Sequence, residues 1–303
     1  MRYLAIVQYD GTNYAGWQVQ PDSRSIEEEI EKVLSKILNT PIKIYGSGRT
    51  DARVHAFGQT FHFDSKEITD LDKFTYSVNK LLPHDIHIVS MKEVDEDFHA
   101  RYSVKEKTYM YVVNMGKYDV FNRNYTNQLL KELDFKKIRE ASKYFEGEHN
   151  FQNFTTKDED EDNFVRNISK IDVMVNNTIV TFLLTGDGFM RYMVRMIVGT
   201  LIEVGLGRIS PEKVKEILED TSRKPVSYKA SPEGLFLLRV EYLNQDESVK
   251  KKIEKMLKDE KPESSSDKES DLMKLEGCLS QNNDNRPYEE IIGEGIMKKH
   301  GFN

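Results

Sequence analysis

One cysteine in 303 residues, Cys278, leaves no intramolecular disulfide and no cysteine-rich metal site. The seven histidines are scattered, without the short paired spacings of zinc ligands, which argues against metal catalysis. No run approaches the ~20 apolar residues that cross a bilayer. The apolar part of the opening MRYLAIVQYDG is too short for a signal peptide and reads as a strand, so a folded cytosolic protein is the expectation. No glycine-rich stretch has the spacing of a phosphate loop, and no serine sits in a nucleophile elbow.

An excess of positive charge is also lacking. A net charge of −7 argues against indiscriminate nucleic-acid binding, yet its placement matters more than its sum. Residues 245–303 carry 11 Lys or Arg against 14 Asp or Glu, and DEDED at 158–162 adds five acids. The rest of the chain is therefore close to neutral, and any basic surface must be local.

What is present is a repeating order of elements. A strand at 3–9 ends in Asp10-Gly11. The stretch 25–39 (SIEEEIEKVLSKILN) predicts an amphipathic helix, with a Ser25/Glu28 capping box and Ile26, Ile30, Val33, Ile37 and Leu38 on one face. Strands follow at 42–45 and 59–63, a helix at 69–79 and a strand at 86–94. A comparable order then runs through a strand at 107–113, a helix at 135–145, a hairpin at 165–175 and 178–184 across Asn176-Asn177, and an apolar helix at 188–204. A helix opened by Ser210-Pro211 and a strand at 234–242 close it. This order predicts an α+β protein of two similar, mostly antiparallel halves, 1–104 and 105–244, with helices on one face and a central cleft. Beyond them, 245–303 is read as a charged, partly disordered extension: 247–260 fits a charged helix, whereas KPESSSDKES (261–270) has too little apolar content to offset the entropy of ordering.

Three places carry chemistry. In YGSGRTDARVHA (45–56) one acid, Asp51, lies between Arg49 and Arg53 after two glycines. Asp in such a turn also makes ordinary side-chain-to-backbone bonds, but two flanking cations predict a depressed pKa and an ionised nucleophile or electrostatic stabiliser. In GFMRYMVRMIVGTLIEVG (188–205) the helix is apolar nearly all round, yet Arg191 and Arg195 lie one turn apart. Either both snorkel to the surface or Arg195 pairs with a carboxylate, for which Asp51 is the candidate. On KEKTYMYVVN (105–114), Lys105, Lys107, Tyr109 and Tyr111 share one face, a pattern that suits phosphates and stacked bases and also occurs on half-solvated strands. His99 and Arg101 extend that face. The aromatic turn QYDGTNYAGWQ (8–18) is read as packing beneath a site.

Six stretches together resemble the TruA-type tRNA pseudouridine synthases over nearly all of residues 1–244: YDGTNYAGWQ, GSGRTDARVHA, NKLLPHDI, FHARYSVKEKTYMY, GFMRYMVRMIVG and SPEGLFL. The resemblance implies two ferredoxin-like repeats. It places the catalytic aspartate at Asp51, its arginine partner at Arg195 and the base-stacking tyrosine at Tyr109, and puts Arg49, Leu235 and Leu237 near the target base. Arg53, His55 and Arg101 complete the candidate substrate-binding set. Arg53 departs from the family, which usually has glycine there.

The implied reaction is isomerisation of uridine to pseudouridine in tRNA, most specifically in the anticodon stem-loop at positions 38, 39 and 40, with no cofactor, by a homodimer without metal or membrane attachment. Three alternatives are a paralogue with a shifted tRNA or rRNA target, a non-catalytic RNA-binding protein on the same scaffold, and a glycosidase acting on free nucleosides. Glycosidases usually need two carboxylates, and the motif has one.

Overall fold

The computed structural model describes residues 1–156 and 163–242; the DEDED run, Cys278 and the extension from 245 lie outside them. Ten strands form one sheet: β1 (Arg2–Tyr9), β2 (Ile44–Gly46), β3 (His55–Asp64), β4 (Ile86–Val94), β5 (Val104–Asn114), β6 (Asn127–Gln128), β7 (Gly147–Asn150), β8 (Val165–Asn176), β9 (Ile179–Gly186) and β10 (Leu235–Tyr242). Their order is β4-β1-β3-β10-β5-β9-β8-β7, with β2 on β3 and β6 on β5. Pairing is antiparallel except at β3/β10 and β5/β6.

The β3/β10 contact joins the strands of the first half to those of the second, through Phe236 beside His55 and Leu237 beside Ala56. Only two residue pairs make that seam. The same edge of β3 is used again at its far end, where Ile44–Gly46 pairs with Phe61–Phe63. The chain between these two pairings, 47–54, is the loop that carries Asp51.

Five helices, α1 (Ile26–Leu38), α2 (Leu71–Leu81), α3 (Phe135–Ser142), α4 (Met193–Gly205) and α5 (Pro211–Glu219), bury their apolar faces in one large cluster with the sheet. The opposite face holds a smaller cluster of strand residues, among them Met110, Val112, Leu183, Phe236 and Leu238. Local chemistry explains the boundaries. The Ser25 hydroxyl accepts from Glu28 N at 3.4 Å and Asn39 closes α1 at φ 50°, a cap worth about 1 kcal/mol. The Asp70 carboxylate accepts from Lys73 N, which starts α2 two residues later than the sequence predicts.

Strand β2 is shifted to 44–46 and the short β6 and β7 are not signalled by the sequence, and three other departures have a local cause. The helix at 135–145 tightens into a 3₁₀ turn over Lys143–Phe145. Strand β3 begins at His55 instead of 59 because Gly58 is not a breaker there: a Cβ would lie 2.6 Å from the Leu238 carbonyl, so the glycine marks the close approach of β10. Helix α4 starts at Met193, five residues inside the apolar run, because Tyr192 takes a left-handed conformation at φ 62°.

Candidate active site

Residues 47–54 are held from below. Ser47 N donates to Thr60 O at 2.8 Å, Ser47 Oγ to Gln59 Oε1 at 2.6 Å, and Gln59 Nε2 to Gly48 O at 3.0 Å. The aromatic turn 8–18 is the bed of the loop. Trp17 N donates to Thr50 O at 3.0 Å, Arg53 N to Tyr14 O at 3.3 Å, and Tyr9 Oη lies 2.8 Å from Thr50 Oγ1. Gly16, at φ 104°, lets the two segments meet, since a Cβ there would sit 2.6 Å from Thr50 O.

Within the motif the positive φ falls on Arg53, at 66°, and on neither Gly46 nor Gly48. Arginine therefore occupies the conformation that a glycine adopts freely, at a cost of roughly 1–2 kcal/mol. Its guanidinium forms an ion pair with Glu233 at 2.9 Å, so the side chain leans toward the turn that opens β10 and away from Asp51.

Arg195 comes from the first turn of α4. Its Nε donates to Ala230 O at 2.8 Å and its Nη1 to Asp51 Oδ2 at 3.2 Å. Ala230 N returns a bond to Arg195 O at 2.9 Å, and Gly199 lets α4 lie against the backbone of Tyr228. The side chains of Arg195 and Asp51 are 9% and 23% exposed.

Around them, the Tyr192 ring is faced by Lys229 Nζ at 4.3 Å from the centroid, by the Arg191 guanidinium at 4.9 Å and by that of Arg195 at 5.3 Å. Arg191 thus precedes the helix, where the sequence pattern put it on a helical face, yet it still converges on the same ring.

The electrostatics of Asp51 correct the sequence reading. Its pKa is raised, because burial outweighs the opposing pull of Arg195, Arg191 and Lys229. The flanking Arg49 and Arg53 are not the cations that count. Arg49 is exposed without a hydrogen bond or ion pair among the described residues, and its charge acts on Glu27.

Tyr109 stands on β5 opposite Leu237 of β10 and Leu184 of β9, and packs edge-to-face on Phe189 at 5.1 Å. Burial pushes its pKa up, and the charge of Asp51 adds to that effect. The side chain is 7% exposed, and its hydroxyl makes no hydrogen bond among the described residues. Tyr111 is spent structurally: it is buried and donates to Ser231 O at 2.8 Å. At Tyr109 and Tyr111 the strand face is therefore a buried floor, while Lys107 is half-buried and Lys105 exposed toward its start. Leu235 lies opposite Tyr111, and Leu237, at 0% exposure, backs Tyr109 without facing the open side.

His55 is not brought to Asp51. It is 2% exposed, its Nδ1 accepts from Gly11 N at 3.1 Å, its Nε2 meets Asn124 O at 2.9 Å, and its ring stacks on Phe236 at 4.7 Å. It pins the seam strands, beside Asp10 at 3.1 Å. Arg101 is exposed over Tyr102 and acts on Lys107 and His99, at the other end of the β5 face. Lys229 was missed by sequence reasoning: it precedes the matching word SPEGLFL, and no pattern marks it.

Among the described residues no group of three or more His, Cys, Asp or Glu is placed to hold a metal, and no helix is long and apolar enough to cross a membrane.

Comparison with known proteins gives one answer. A family model described as tRNA pseudouridine synthase matches residues 5–103 and 141–243. The tRNA pseudouridine synthase A of Exiguobacterium sp. (strain ATCC BAA-1283 / AT1b) is 41% identical over 246 residues, covering 81% of this chain and 99% of its own. Those of Listeria monocytogenes serotype 4b (41%, covering 80% and 99%) and Acetivibrio thermocellus (38%, covering 78% and 98%) are similar to it over nearly the same span. With two thirds of its residues matched and relatives aligned almost end to end, the chain belongs to the tRNA pseudouridine synthase family.

Proposed function

We propose that this protein isomerises uridine to pseudouridine in tRNA, with the anticodon stem-loop as its target. The observation that carries the reading is a single half-buried carboxylate, Asp51, bonded to Arg195 with Arg191 and Lys229 beside it. The reaction breaks the N1–C1′ bond, turns the uracil in place and joins C5 to C1′; the C5 proton leaves and N1 gains one, so the product is an isomer.

An ionised Asp51 serves three entries into that sequence: attack at C1′, addition to the ring, or removal of the C2′ proton toward a glycal. Arg195 favours the charged form in each, against the cost of burial. Tyr109 stacks on the uracil, which must stay bound after the glycosidic bond breaks. Arg49, exposed beside the loop, holds the extruded nucleotide or takes its place in the stack. Arg191 and Lys229 face the RNA backbone, so activity falls as salt rises.

A homodimer in the cytosol belongs to the same proposal and is tested by light scattering on the purified full chain. The deciding experiment for the reaction is base-resolution mapping of pseudouridine in the organism's tRNA and rRNA with and without this protein. Loss of anticodon-loop sites alone is the expected result; an unchanged map overturns the reading.

A further inference from the structure

On the β5 face, two residues before Tyr109, Lys107 makes one hydrogen bond among the described residues, from Nζ to Ser47 O at 2.6 Å. None of the described carboxylates pairs with it. The charges that act on it are cations: Arg101, from the segment before β5, and Arg166 of β8. Neither of these has an ion pair among the described residues. The remaining neighbour is Gly48, where a Cβ would lie 2.9 Å from Nζ, so the absence of a side chain leaves that flank of the ammonium open.

A carbonyl bond alone does not explain this lysine. A neutral amide would serve Ser47 O without placing a charge where burial disfavours it, and three cations with no acid among them repel one another. The arrangement lacks an anion. We propose that Lys107, with Arg101 and Arg166 outside it, seats a backbone phosphate of the RNA beside the target nucleotide. The seat lies two residues, about 7 Å along the strand, from Tyr109 on the same face. This rests on the RNA reading above and adds to it the place where the strand is gripped.

Burial and the two arginines lower the pKa of Lys107 to about 8. A phosphate seated there is held below that pH and released above it. From the elements around Lys107, only Arg101 and Arg166 enter this titration, and both are cationic throughout.

The test uses the full chain and an unmodified tRNA transcript, with binding followed against salt and pH and turnover followed separately. Lys107→Gln is expected to raise KM about tenfold with kcat within about twofold, and to reduce the slope of log Kd against log salt by about one. Wild-type affinity falls between pH 7 and pH 9, whereas that of Lys107→Gln is flat. Lys107→Arg restores the salt slope and removes the alkaline fall. Arg101→Gln, an exposed change that leaves the core intact, moves the fall to higher pH, since one repelling cation is gone.

A loss of kcat at unchanged KM and salt slope overturns the proposal and leaves Lys107 as a prop for the loop 47–54. If wild-type protein makes no pseudouridine but Lys107→Gln still lowers the salt slope, the functional reading fails and the phosphate seat stands.

Discussion

Arg195 and Asp51 are 144 positions apart in sequence and 3.2 Å apart in the structure. The guanidinium is fixed by its second bond, to Ala230 O, so its approach to the carboxylate is set by the backbone and not by the ion pair itself. The acid is thus offered a cation already in place. Pre-oriented charge of this kind costs little reorganisation in any step that moves charge onto or off Asp51, as the proposed mechanism requires.

Replacing the acid isolates the chemistry. Asp51→Asn keeps the shape of the side chain and an acceptor for Arg195, so the protein folds and binds tRNA. Pseudouridine formation, followed by tritium release from C5-labelled tRNA, falls by at least about 10³-fold. Activity near the wild-type level removes Asp51 from the mechanism.

Lys229 tunes that acid without pairing with it. The pKa of Asp51 is raised by burial and held back by Arg195, Arg191 and Lys229. Activity requires the ionised form and is lost as pH falls through the pKa. Lys229→Ala takes away one opposing cation, raises the pKa further and shifts the acid limb of the kcat/KM profile to higher pH. A shift to lower pH, or none, contradicts the assignment.

Arg53→Gly sets two effects against each other. It relieves a left-handed residue, worth roughly 1–2 kcal/mol, and forfeits a rim ion pair with Glu233, worth about 0–1 kcal/mol, as well as some unfolded-state restriction. Stability by thermal melting stays within about 1 kcal/mol of wild type and activity persists. Base-resolution mapping reads whether the chosen uridine changes; an identical pattern excludes Arg53 from target choice.

Asp10 offers a test of the bed beneath the site. Burial alone would raise its pKa, but the neighbouring His55 ring and the bonds donated by Thr12 and Tyr125 lower it well below the usual range. Its stabilising contribution is therefore complete above about pH 4, the unfolded value, and is lost as pH falls through the folded one. Asp10→Ala also removes the cap on the 3₁₀ turn Gly11–Asn13 and the acceptor of Tyr125. The expected loss is about 2 kcal/mol at pH 7, shrinking in acid, as read from urea melts across that range.

Much of the fold was legible because its signals are periodic. The face of α1, the strand 86–94 and the Pro-led start of α5 follow from spacing and caps alone. Conformations that side-chain identity does not encode were not legible. Nothing about Arg53 or Tyr192 announces a positive φ, and an apolar run hides the point where α4 begins. At the site, Asp51, Arg195 and Tyr109 could be suspected from incongruity, a charge among apolar residues or an acid among glycines. His55 had the same look and is a buried brace, because a polar residue in a motif reads alike whether its partners are backbone or ligand. The sign of the shift at Asp51 was misjudged since neighbours in sequence were taken as neighbours in space.

Strand β10 is the last described element of the chain, yet it lies in the middle of the sheet, between β3 and β5. During synthesis the ribosome releases every other described strand before it. Until it arrives, β3 beyond its short pairing with β2 and β5 beyond its short pairing with β6 each present an unpaired stretch, and no hydrogen-bonded ladder among the described strands ties the Asp51 loop to the half that holds Arg195 and Tyr109. Insertion of eight residues closes both edges at once. The arrangement of Asp51, Arg195 and Tyr109 therefore depends on the last described strand, and a chain stopped short of Leu235 would carry the acid without its partner in register.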